Sequence, residues 1–98
     1  MSERATEPVG LLLLGKPGCQ LCEEMKAVIE PVLTGSGLAL VERDVRDDPD
    51  WERRYLWEIP VLLLGGRELA RHRLTEDELR RRLAGLGFSL PGSARPPG

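Results

Sequence analysis

The run Val9-Gly-Leu-Leu-Leu-Leu14 constrains the fold of this chain more than any other stretch. It is short, continuously apolar, and closed by the turn residues Gly15-Lys-Pro-Gly18. A strand with one wet face alternates apolar and polar residues; an unbroken run reads as a strand buried on both faces. The next stretch is helical. From a start near Cys19, the apolar positions Cys22, Met25, Ile29 and Val32 recur at spacings of three and four, while Glu23, Glu24, Lys26 and Glu30 fill the other face. Pro31 is expected to kink or shorten the last turn, and Gly35-Ser-Gly37 to end it. A second strand, Leu38 to Val45, completes the unit. Strand, helix and strand in this order make a parallel crossover, which is right-handed.

The rest of the chain adds to that unit. Asp48 reads as an N-cap, Pro49 suits the first helical position, and Asp50 suits the helix dipole. This second helix is short and runs to about Trp57, with Trp51 and Tyr55 on one face that packs in the core or at its edge. Pro60 to Leu64 is a third strand, Gly65-Gly66 a two-residue hairpin, and Arg67 to Arg73 a charged return strand at the sheet edge. His72 lies on that strand among arginines, a surface position. Thr75-Glu-Asp-Glu78 is a capping box, with Leu74 and Leu79 placed as a hydrophobic staple. Leu79, Leu83 and Leu86 form the buried stripe of the last helix, which Gly87 closes.

The order is β-α-β-α-β-β-α. It predicts an α/β fold, a four-stranded mixed sheet with three flanking helices, over residues 9–88. Residues 1–8 are polar and expected to fray; residues 89–98, with three prolines and two glycines, have too little to bury and are expected to be disordered.

Composition narrows the function. At 98 residues with 41% hydrophobic residues, the chain can build a core without disulfide staples. Its 14 basic and 16 acidic residues leave a net charge of −2, which gives no electrostatic case for nucleic acid or an anionic membrane. The apolar run is far shorter than the roughly 20 residues of a membrane span. Glu3 and Glu7 precede it where a signal peptide would carry positive charge. The cytoplasm is the expected compartment, and there a cysteine pair is seldom a staple; it is catalytic or metal-binding.

That pair is Cys19-Gln-Leu-Cys22, between an apolar strand and a helix. A spacing of three puts both sulfurs on one helical face, with Cβ atoms about 5–6 Å apart, and modest adjustment reaches the roughly 3.5–4.5 Å of a disulfide. The two thiols are expected to differ. Cys19 sits at the helix N-terminus, where unpaired N–H groups and the dipole favour thiolate, and Lys16 adds positive charge. Cys22 lies one turn inside on the apolar stripe. One exposed nucleophile and one shielded thiol suit disulfide exchange. Inert core cysteines and a zinc site are the alternatives; a closed zinc site wants four N or S ligands, and the chain offers two Cys and one His.

From Val9 to Leu86 the chain resembles the thioredoxin superfamily, and within it a glutaredoxin-like branch. The resemblance is carried by the strand leading into Lys16-Pro17-Gly18-Cys19-Gln20-Leu21-Cys22, by Ile59-Pro60-Val61, and by the Gly65-Gly66 hairpin before a last helix. It implies a thioredoxin fold and a thiol–disulfide oxidoreductase with Cys19 and Cys22 as catalytic residues. It further implies a cis peptide bond at Pro60, backbone at Ile59 facing the dithiol, and Lys16 in the position of the glutaredoxin lysine. The cysteines flank Gln-Leu where thioredoxins carry Gly-Pro and common glutaredoxins Pro-Tyr. The segment before the last helix also departs from the glutathione-binding pattern, so little or no dependence on glutathione is expected. The implied partners are a disulfide-containing protein or small molecule and an external reductant, with no bound cofactor and no metal. The competing readings are a thioredoxin-fold binding or redox-sensing module, and metal or iron–sulfur ligation by Cys19 with external thiols.

Overall fold

A computed structural model describes residues 10–88 and 90. The expectations for residues 1–9, 89 and 91–98 lie outside the described residues. The elements follow the expected order: β1 (Gly10–Gly15), α1 (Gln20–Leu33), β2 (Ala39–Asp44), a 3-10 turn (Val45–Asp47), α2 (Pro49–Tyr55), β3 (Val61–Leu64), β4 (Arg67–Arg71) and α3 (Glu76–Gly85). They form one four-stranded sheet in the order β2-β1-β3-β4. β1 pairs in parallel with β2, Gly10 opposite Ala39 through Gly15 opposite Asp44. It pairs antiparallel with β3, Leu11 opposite Leu64 through Leu14 opposite Val61.

The apolar run is buried because β1 is central and both faces are covered. Leu11 and Leu13 join Met25, Ile29 and Val32 of α1 and Leu79 and Leu83 of α3 in the larger core. Leu14 turns the other way, into a smaller cluster with Val45, Val61 and Leu63, against which Trp51 and Tyr55 of α2 pack. The capping expectations hold: Asp48 accepts from the Asp50 N–H, with Pro49 in the first turn of α2. Thr75 and Glu78 form both halves of the capping box of α3.

Several boundaries move, each for a local reason. β2 ends at Asp44, whose carboxylate accepts the Arg46 N–H at 2.8 Å and opens the 3-10 turn. α1 runs through Pro31 to Leu33; the proline costs one backbone hydrogen bond so close to the end that the helix does not stop there. α2 ends at Tyr55, two residues short of Trp57, where the Glu58 N–H turns back to the Tyr55 carbonyl at 2.8 Å. β4 stops at Arg71, because His72 takes a left-handed φ of 67° and turns the chain away. Within β4, Ala70 faces Leu62 and Glu68 faces Leu63, so Leu69 is an extra residue in a bulge. That is why the neighbours Leu69 and Ala70 are both buried. Leu86, expected in the buried stripe, is instead the C-cap of α3 and 37% exposed, while Leu90 is 6% exposed and belongs to the larger core.

Candidate active site

β1 delivers the site. It runs one residue beyond the leucines, to Gly15, and the loop from Lys16 then turns into α1 at Cys19, with the Cys19 N–H donating to the Lys16 carbonyl at 3.3 Å. Gly18 holds a φ of 78°, a left-handed turn that glycine makes without strain. Cys19 is the N-cap of α1 and has extended backbone. Its sulfur accepts the Cys22 backbone N–H at 3.1 Å. An orphan donor of the first helical turn is therefore satisfied by sulfur, the arrangement that favours negative charge there.

Cys19 and Cys22 are joined as a disulfide, with Cα atoms 5.2 Å apart. Their exposures differ as expected: Cys19 is partly exposed and Cys22 is 7% exposed. Among the described residues, no group of three or more His, Cys, Asp or Glu is arranged to hold a metal ion.

Gly15 is the site residue that sequence reasoning misses, because the pattern places it in the loop. A Cβ at Gly15 would lie 2.8 Å from the Cys22 sulfur. The bare backbone of β1 is what gives the Cys22 sulfur its space. The available signal is the glycine itself, closing an apolar strand a few residues before the cysteine pair.

Lys16 is exposed and lines, with Gly15, Cys22 and Asp44, a groove of about 260 Å³ that reaches the Cys22 side of the pair. Its positive charge acts on Asp44, although the main cause of that carboxyl's low pKa, about 2, is its hydrogen bonding to Arg46. Asp44 sits opposite Gly15 in the parallel register, so the end of β2 also borders the site.

The Ile59–Pro60 bond is cis. The antiparallel register pairs Leu14 with Val61, so the next step brings Pro60 beside Gly15 at the same end of the sheet. Pro60 is fully buried, and its carbonyl accepts the His72 N–H at 2.8 Å. The Ile59 side chain packs against the smaller core cluster. Glu58 fastens this loop to the end of β4, meeting Arg71 at 3.1 Å and the His72 ring at 2.8 Å. His72 is thus at the surface, as expected, and holds a partner 14 residues away that no local pattern announces.

Known structures share this fold. The solution structure of protein Ne2328 from Nitrosomonas europaea matches with a TM-score of 0.66 and 29% identity, over 86% of this chain and 95% of that one. Thioredoxin 1 from Thermosipho africanus matches with a TM-score of 0.57 at 16% identity, over 79% of this chain and 92% of that one. The germline-specific thioredoxin Deadhead from Drosophila melanogaster gives 0.55 at 24% identity, over 87% of each chain. At these identities the two thioredoxins speak for the fold alone. The glutaredoxin-like domain family (DUF836) matches residues 10–84, and the chain belongs to that family.

Proposed function

We propose that the protein is a thiol–disulfide oxidoreductase that reduces disulfides through Cys19 and Cys22. The observation that carries this reading is the donation of the Cys22 N–H to the Cys19 sulfur at the mouth of α1, with Cys22 buried behind it. In the reduced protein, the Cys19 thiolate attacks one sulfur of a substrate disulfide. A mixed disulfide forms on Cys19, and the other substrate sulfur leaves as thiolate and takes up a proton. Cys22, after losing its own proton, attacks the Cys19 sulfur, restores the Cys19–Cys22 bond and expels the second substrate thiolate. Two electrons and two protons pass to the substrate, and an external dithiol or pair of thiols reduces the protein again. Lys16 supports the thiolate by its charge, and the backbone at Ile59 pairs with an extended substrate.

The substrate is a disulfide in a protein or small molecule, the compartment is the cytoplasm, and neither nucleic acid nor a membrane takes part. No helix of the described residues is long and apolar enough to cross a membrane. Glutathione is a poor fit as reductant. Its two carboxylates need paired cations or free helix N–H groups. At α3 the Glu78 N–H is occupied by Thr75, and Glu76 and Asp77 add negative charge. Of the two arginines nearest α3 in sequence, Arg71 is committed to Glu68 and Glu58, which leaves Arg73 where a pair is needed.

The test is a pair of variants. Cys19→Ser abolishes reduction of a disulfide substrate, whereas Cys22→Ser keeps the first attack and accumulates mixed disulfides visible by mass spectrometry. Equal alkylation rates of the two reduced cysteines at neutral pH overturn the assignment. A pair that oxidises reversibly yet reduces no disulfide substrate supports the sensing module instead.

A further inference from the structure

A hollow of about 550 Å³ lies away from the dithiol loop, between β4 and α3. Four arginines line it, Arg67, Arg71, Arg73 and Arg82, against two carboxylates, Glu68 and Glu78. Both carboxylates are already used. Glu68 holds Arg71 in a bidentate pair at 2.6 and 2.7 Å. Glu78 accepts from the Thr75 N–H at 3.0 Å in the capping box. Arg82 donates to the Leu69 carbonyl in the bulge of β4. The side chains of Arg67 and Arg73 make no ion pair or hydrogen bond among the described residues. A chain of net charge −2 therefore concentrates unspent positive charge along one groove.

Charge on an edge strand also discourages sheet-to-sheet pairing. Either sign serves that purpose, and paired charges serve it well. It does not explain why the carboxylates are consumed internally while two guanidiniums are left over, Arg67 at the start of β4 and Arg73 two residues past its end. Arg73 also lines a smaller hollow with Leu21 and Glu24 of α1.

We propose that the β4–α3 groove is a docking surface for an acidic, extended protein segment, with Arg67 and Arg73 as its two charge anchors. A segment passing along β4 (Arg67–Arg71) can meet both if it is extended, with acidic side chains on one face at every second residue. Docking there engages a partner without occupying Cys19 or Cys22, neither of which lines the groove. It does not depend on the redox chemistry proposed above.

The probe is a short cysteine-free peptide with alternating glutamates, compared with its glutamine counterpart, on the full oxidised protein. The glutamate peptide binds and shifts the amide resonances of β4 and α3, and binding collapses between about 0.05 and 0.5 M salt. Arg67→Gln with Arg73→Gln weakens it roughly tenfold, the scale of two exposed ion pairs. Arg53→Gln, on α2, leaves it unchanged. Equal binding of the glutamine peptide, shifts confined to other elements, or loss on Arg53→Gln as large as on the groove variants overturns the proposal. So does a single-stranded oligonucleotide that binds the groove as tightly as the peptide, since the surface would then be a general polyanion site.

Discussion

A methyl group built on Gly15 would sit 2.8 Å from the Cys22 sulfur and 3.1 Å from its Cβ. Neither neighbour is the far end of a flexible chain: Cys22 is anchored in α1 and tied to Cys19. Gly15→Ala must therefore push the first turn of α1 away from β1, and overpacking of this kind costs about 1–3 kcal/mol. Gly10→Ala is the control on the same strand, because its added Cβ meets the Ala39 carbonyl at 3.6 Å, an ordinary contact. There the reduced freedom of the unfolded chain offsets any crowding, and the change is neutral or stabilising by up to about 1 kcal/mol. Urea unfolding of the oxidised proteins reads both. Two variants of equal stability would mean that Cys22 yields easily and that Gly15 does not shape the site.

At the scale of elements, the ends are set by single polar contacts. The Thr75 hydroxyl accepts the Glu78 N–H at 3.1 Å, and the Glu78 carboxylate accepts the Thr75 N–H at 3.0 Å. Thr75→Ala removes the first contact and lowers stability by about 0.5–2 kcal/mol, while Thr75→Ser keeps the hydroxyl and most of the stability. Denaturant midpoints separate the two, and a serine variant as weak as the alanine one would assign the loss to packing of the methyl group. This capping box is legible in the sequence because all its parts lie within four residues, as are the Asp48 cap and the Gly65-Gly66 turn. The cysteine pair is legible for the same reason, since helical spacing alone brings it together. The features that escape depend on partners far along the chain. The Leu69 bulge exists only against β3, and Glu58 meets Arg71 and His72 only once the sheet has formed. Gly15 looks like the start of a loop because the sulfur above it comes from the next element.

Over the whole molecule, one sheet separates two unequal cores, and the candidate site sits where the strand common to both ends. The larger core holds α1 and α3 against one face, and Leu90 closes it beyond the last helix. That leucine is the test of how far the domain extends. It lies in a stretch whose prolines, glycines and polar residues suggest nothing worth burying, yet it is 6% exposed, while Leu86 in the turn that ends α3 is 37% exposed. Fully burying a leucine side chain is worth about 1.5–3 kcal/mol, and truncating one in a packed core costs about 2–5 kcal/mol when the surroundings cannot collapse onto the gap. A site outside any helix or strand can collapse more readily than one inside a helix, which puts the expected loss for Leu90→Ala at the lower end, about 2 kcal/mol. Leu86→Ala, the same deletion at the surface, changes stability by less than about 0.5 kcal/mol. If the two variants unfold at the same urea concentration, the domain ends with α3; if Leu90→Ala alone is weakened, the core depends on a residue two positions past Phe88, itself packed against the same cluster.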